Sequence, residues 1–274
     1  MQVLHNDGNG PVTLKSRILP FQPLGNMTKP TKNSPALVYR WDASENPLPI
    51  KPIRGFNEEV YPFSSAPPWI STGEHGCPFD YSSHVRRLCV DVVDRCDEFS
   101  HIDMRHILVG VTQARNNNVH GLQARVTPMR FPGGSLTQRN EGVTYRVQRY
   151  TFEDTEFYYL MTFCLPRYAN QDFDNKLITV FHELYHIGPE FDGDLRRHEG
   201  QCEIHGDSQK EYDEQMAALA REYLSSNPDP DLLAFLRLNF SQLEERHENV
   251  VGVVVPRPQI IPIVEQSEKE MAGE

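Results

Sequence analysis

Phe181-His182-Glu183-Leu184-Tyr185-His186 decides how this chain is read, because it sets two histidines four residues apart with a glutamate beside the first. Residues i and i+4 share one helix face, so the two imidazoles can grip a single divalent cation. Glu183 stands about 100° around the same turn, where a carboxylate can act as general base on a water at the open metal position. The flanking residues predict the helix this requires. Asp172 or Asp174 can cap its start, and Leu177, Val180, Phe181 and Leu184 repeat at helical spacing toward a core. Gly188-Pro189 ends it, glycine suiting a left-handed position after the helix and proline being unable to continue it. Paired imidazoles put Zn²⁺ first among the candidate metals.

Catalytic zinc usually keeps three protein ligands and one open position. Glu190, His198, Glu199, Glu203 and His205 lie downstream as candidates for the third. His205 opens His205-Gly206-Asp207-Ser208, and Ser208-Gln209-Lys210-Glu211 reads as a capping box that starts another helix. A ligand just ahead of a capped helix is held by well-defined backbone. His198 follows Arg196-Arg197, whose charges oppose a nearby dication unless they point away. His205 is therefore placed first, with His198 as the alternative third ligand.

The run His182-Glu183-Leu184-Tyr185-His186-Ile187-Gly188-Pro189-Glu190-Phe191-Asp192-Gly193-Asp194-Leu195-Arg196-Arg197-His198 resembles the metallopeptidases of phage and prokaryotic genomes. Those carry H-E-L-x-H-I, then F-x-G-x-x-R, then a further histidine. They are similar in turn to the SprT-like minimal zincins, in which a His-Gly pair before a helix supplies the third ligand. That pattern maps onto His205-Gly206, and the close motif covers residues 181–206. The resemblance implies a zincin-like, zinc-dependent peptidase fold acting on a peptide or protein, and no particular substrate. The presence of two candidate third histidines departs from the simpler pattern.

A chain of 274 residues can bury a real core. Its formal net charge of −11 is uneven: residues 1–75 hold seven Lys/Arg against six Asp/Glu, and the remainder twenty against thirty-two. An acidic body argues against broad nucleic-acid contact, since phosphates need a basic face. Arg125, Arg130, Arg139, Arg146 and Arg149 leave room for a local basic patch. The five cysteines include no C-x-x-C pair, and Cys89 and Cys96 share an apolar helix face, which reads as core. The start lacks a basic region followed by an apolar run, and no stretch of about eighteen apolar residues exists. A cytoplasmic protein without a membrane span is the expectation.

Eleven of the twenty-one prolines fall in residues 1–75, which reads as a proline-rich, disordered or loosely draped arm. Pro67-Pro68-Trp69-Ile70 near its end either docks on the body or serves as plain linker. A metallopeptidase-like domain is expected over 76–264 and a flexible tail over 265–274. Within the domain, Asp80 or Ser82 can cap a helix striped by Val85, Leu88, Cys89, Val92, Cys96 and Phe99. Strand-like runs follow at 107–112, around Leu122, Ala124 and Val126, and around Val143, Tyr145 and Val147. Residues 157–165 are nearly continuous in apolar side chains, as a strand covered on both faces would be. After the motif come a helix with Tyr212, Met216, Leu219, Ala220 and Tyr223 inward, and another started by Asp229-Pro230 with Leu232 to Leu243 inward. A short strand at 250–255 is expected on an edge, because Pro256 and Pro258 follow. The class is α+β: an N-terminal helix, an antiparallel-rich sheet, the H-E-x-x-H helix, then supporting helices.

Around a metal held by three histidines, Glu183 would serve as the general base of peptide hydrolysis. Arg115, Arg196, Arg197 and Tyr212 are candidate donors to a developing oxyanion. Tyr185 falls on another helix face and reads as packing. Asp192, Asp194 and Asp207 are candidate acceptors for the ligands' second ring nitrogens, or plain turn and cap residues. A competing class is a non-catalytic zinc-binding interaction module, closed by His182, His186, His198 and His205 together. A nuclease reaching nucleic acid through the Arg-rich strands is a third class, which the acidic body disfavours.

Overall fold

Capping and alternation set the elements in chain order in this computed structural model, which describes residues 36–56, 65–197 and 209–263. Strands β1 (Val38–Trp41) and β2 (Ile50–Pro52) come first, and β3 (Phe79–Asp80) runs directly into helix α1 (Tyr81–Arg95). Then follow β4 (Ile107–Gln113), β5 (Ala124–Pro128), β6 (Thr137–Asn140) and β7 (Val143–Val147). The hairpin of β8 (Arg149–Phe152) and β9 (Thr155–Phe157) leads to β10 (Tyr159–Leu165). Helix α2 (Phe173–Tyr185) carries the motif, and α3 (Gln209–Ser225) packs against it. Helices α4 (Pro230–Leu233) and α5 (Phe240–Arg246), then β11 (Val250–Val253) and β12 (Ile260–Ile263), complete the described chain.

Every residue of β10 is buried, and it is the middle strand of the sheet β4-β10-β5, as its unbroken apolar run requires. It pairs in parallel with β4 and antiparallel with β5. One face of this sheet meets α1 and α2 through Val85, Leu88, Val126, Met161, Phe163, Leu177, Val180 and Phe181. Asp80 caps α1 by accepting from the Ser83 amide at 3.1 Å, and Asp172 caps α2 by accepting from the Asn175 amide at 2.8 Å. The mixed α and β content fits the expected class. Among the described residues antiparallel pairings outnumber parallel ones, yet they are spread over four three-stranded sheets and the central β4–β10 pairing is parallel.

The reading of residues 1–75 as a loose arm differs from the structure wherever those residues are described. Strand β1 pairs with β8, and Trp41 lies buried with its ring edge-on to Tyr150 at 5.1 Å. Strand β2 pairs with β11, and the Ile53 amide donates to the Val250 carbonyl. Arg246 ties down the next stretch by donating to the carbonyls of Pro67 and Ile70, while Trp69 stays 82% exposed. These contacts join residues more than a hundred positions apart, and no local periodicity announces them. Residues 1–35 and the tail 265–274 lie outside the described residues.

Two further expectations change. Strand β11 is not on an edge but sits between β2 and β3, because the supposed arm supplies its second neighbour. The single helix expected after Asp229 is three pieces, since Asn239 and Gln242 form a reciprocal capping box that starts α5 afresh. No helix among the described residues is long and apolar enough to cross a membrane.

Candidate metal centre

The last two turns of α2 deliver His182, Glu183 and His186 into the interior, at 2%, 1% and 1% exposure. The two imidazole centroids stand 4.5 Å apart with planes at 80°, adjacent on one helix face as the i,i+4 spacing demands. His186 is the residue that ends the helix, its amide donating to the His182 carbonyl at 3.3 Å. Tyr212 arrives from α3 and covers both rings. Its ring is stacked on His186 at 5.8 Å and edge-on to His182 at 4.8 Å. Of the candidate oxyanion donors, Tyr212 alone is in ring contact with the pair among the described residues, and burial pushes its hydroxyl well above the ordinary tyrosine range.

Glu183 is buried beside the two imidazoles. Neither carboxylate oxygen has a hydrogen-bond partner of good geometry among the described residues. Burial pushes its pKa up to about 8, only partly offset by the nearby Val126 amide and the Arg125 guanidinium. A buried carboxyl with nothing to bind is costly unless a cation or a reacting group completes it. Two buried imidazoles and one such carboxyl fit a divalent metal of borderline softness. Among the described residues no group of three metal-ligating side chains occurs, and His198, Glu199, Glu203, His205 and Asp207 all lie outside them.

The F-x-G-x-x-R run acts as a clasp on the end of α2. Gly188 does not take the left-handed conformation expected of it. Its glycine is required because a Cβ there would stand 2.8 Å from the Asp194 carbonyl oxygen, which accepts from the Gly188 amide. Gly193 is left-handed (φ 93°) and presses against Arg130. Tyr159 donates to the Asp194 carbonyl at 2.8 Å and accepts from the Gly193 amide at 3.0 Å. Asp192 and Asp194 lock this loop, accepting from the Asp194, Gly133 and Leu195 amides, so their turn reading is the one that applies. The Arg196 amide then donates to the His186 carbonyl at 2.8 Å, which returns the chain to the ligand pair.

Arg196 pairs with Glu98 at 3.0 Å and lies over the Tyr185 ring at 4.0 Å, while Arg197 pairs with Asp194 at 3.2 Å. Each charge that argued against His198 thus has its own carboxylate. Arg115 is exposed. Tyr185 is a packing residue, held between Arg196 and Tyr212.

Strand β5 runs beside α2 and, among the described residues, has a strand neighbour, β10, on one side only. The Cys164 amide donates to the Gln123 carbonyl and the Met129 amide to the Tyr158 carbonyl, so residues 123, 125, 127 and 129 face β10. By alternation the backbone groups of Ala124 and Val126 turn toward the outer edge, on the side where Val126 meets Glu183. Nothing in the local sequence marks this edge, because strand order is a long-range property. A cavity of about 600 Å³ lies elsewhere, at the first turn of α2. Phe173, Lys176, Gln123 and Leu236 help line it, and none of His182, Glu183, His186 and Tyr212 does.

Residues 79–222, more than half of the chain, match the family model described as "Putative phage metallopeptidase". No curated protein and no solved structure matches the chain.

Proposed function

The chain belongs to the phage metallopeptidase family, whose members need a metal cofactor, and from that premise we propose that it is a zinc-dependent peptidase with Glu183 as general base. The observation that carries the proposal is the buried Glu183 carboxyl, without a hydrogen bond of good geometry among the described residues, one residue along from one of two imidazoles packed edge-on. His182 and His186 would hold the metal, with His205 as third ligand and His198 as its alternative. When bound, zinc would polarise the scissile carbonyl and acidify the attacking water.

The chain's own residues account for the remaining steps. Glu183 accepts the proton of the attacking water and passes it to the leaving amine. A dication nearby favours the carboxylate form that burial opposes, which readies Glu183 as a base. The Tyr212 hydroxyl, beside both imidazoles, is the candidate donor to the developing oxyanion. The outer edge of β5 would take an extended peptide as an added strand, which brings its backbone alongside Glu183.

The second reading is a non-catalytic zinc-binding interaction module of the same fold, closed by a fourth histidine. A closed site has no use for a buried carboxyl with no hydrogen bond of good geometry among the described residues, so the Glu183 environment favours the peptidase. The test is elemental analysis of protein purified without a metal-binding tag, followed by incubation with denatured proteins. Zinc near one equivalent with cleavage lost in Glu183→Gln supports the peptidase. Equal cleavage by both proteins refutes the mechanism, and zinc bound through four histidines without cleavage supports the module.

A further inference from the structure

We propose that Arg125, with Arg257 beside it, is a specificity-determining residue that selects substrates carrying a carboxylate next to it on the strand added to β5. The proposal rests on the peptidase reading for the location of the substrate. Its physical basis is separate, and begins with the face of the sheet on which Arg125 stands. Ala124 and Val126 point into the core shared with α2, so Arg125 projects from the opposite face, in register with Thr162 of β10. It is half-buried, yet it makes no ion pair or hydrogen bond among the described residues. Other arginines in the same stretch are satisfied: Arg130 and Arg149 share Glu156 at 2.7 and 2.5 Å.

Arg257, exposed between β11 and β12, is close enough for its charge to oppose that of Arg125 and likewise makes no ion pair or hydrogen bond among the described residues. Burial and this like charge hold the Arg125 guanidinium below its ordinary value, with Glu183 acting weakly the other way. A half-buried cation beside a second cation is an unfavourable arrangement that a carboxylate would relieve. The outer edge of β5, unpaired among the described residues, supplies the place for one. Any strand that pairs there, in either direction, sets one of its side chains directly beside Arg125 on the same face. Opposite charges in that relation attract, and like charges repel. The carboxylate can come from an Asp or Glu side chain or from a peptide's own C-terminus.

The experiment uses the full chain carrying Glu183→Gln, zinc-loaded, and three fluorescein-labelled peptides of one unstructured sequence. The first has Glu at alternating positions and a capped C-terminus, and the second has Gln there and the same cap. The third has Gln and a free C-terminus. Fluorescence anisotropy should show the Glu peptide binding about tenfold more tightly than the capped Gln peptide at low salt, an effect that screening removes at high salt. Tighter binding of the third peptide instead assigns the carboxylate to the chain terminus. Arg125→Gln should abolish the preference and leave the capped Gln peptide's affinity unchanged. Equal binding of all three peptides, absent binding included, or a preference that survives Arg125→Gln, overturns the proposal. Should circular dichroism show Arg125→Gln misfolded, the salt titration of the Arg125 protein decides, and a salt-independent preference overturns it. Parallel digests with Glu183 intact separate the two claims. Cleavage without acidic preference removes the role of Arg125, and Arg125-dependent preference without cleavage removes the peptidase reading.

Discussion

Helix α2 buries an ionisable side chain near each end, and the two are treated in opposite ways. Near the start, Lys176 is 1% exposed and its Nζ donates to the carbonyls of Leu236 at 2.9 Å and Leu238 at 2.6 Å. Near the finish, Glu183 is equally buried and neither oxygen has a hydrogen bond of good geometry among the described residues, the Val126 amide being only nearby. Burial moves both toward neutrality, Lys176 down to about 7 and Glu183 up to about 8. Burial is thus common to the two groups, and what separates them is the pair of carbonyls that only Lys176 has. Lys176 stitches α2 to the 234–238 turn, whereas no described residue gives Glu183 a comparable tie.

The sharpest way to break this comparison is to remove the imidazoles. His182→Ala with His186→Ala should take zinc from about one equivalent per chain to none, read by elemental analysis. Unchanged zinc content would remove the metal assignment altogether.

Glu183→Gln comes next. It should lower hydrolysis of denatured protein by about 10³-fold while zinc content holds. The same variant tests the burial argument without any substrate. Because the folded pKa of Glu183 lies above its unfolded value, the folded state binds more protons between pH 4.5 and about 8. Metal-free wild type should therefore lose stability across that window relative to Glu183→Gln, by on the order of 5 kcal/mol. Denaturant melts at several pH values measure this, and parallel pH curves for the two proteins would show that Glu183 is not desolvated as described.

Lys176→Met sharpens the other half. Leaving the two carbonyls without a donor should cost about 2 kcal/mol of stability, with zinc content and catalytic constants of the folded fraction unchanged. A loss of zinc in this variant would mean the two ends of α2 are not independent. The smallest effect is expected from Asp172→Ala, which removes the cap and should cost about 1 kcal/mol in chemical denaturation, again without touching the metal.

Much of this helix is legible in the residues alone. Asp172, the stripe Leu177, Val180, Phe181 and Leu184, and the spacing of His182 and His186 are all local signals, and each lands where the sequence puts it. Strand β10 is legible for the same reason, an apolar run too continuous to face water on either side. The capping box of Asn239 and Gln242 is also written locally, yet the apolar stripe from Leu232 to Leu243 runs across it and masks the break. Val38–Trp41 carries no comparable signal, since its strand exists only because β8 and the Tyr150 ring lie beside it.

What the sequence determined by itself is the chemistry: an imidazole pair and a carboxyl on one helix, because helical periodicity fixes which side chains share a face. Tertiary structure alone decided that Tyr212 would cover both imidazoles, that Gly188 would serve a close approach to Asp194 rather than a left-handed turn, and that β5 would keep an outer edge beside Glu183 with Arg125 on its far face. The physical reason is range. Capping and periodicity act over a few residues, whereas strand order and the meeting of α2 with α3 depend on contacts that form only when distant segments are packed together.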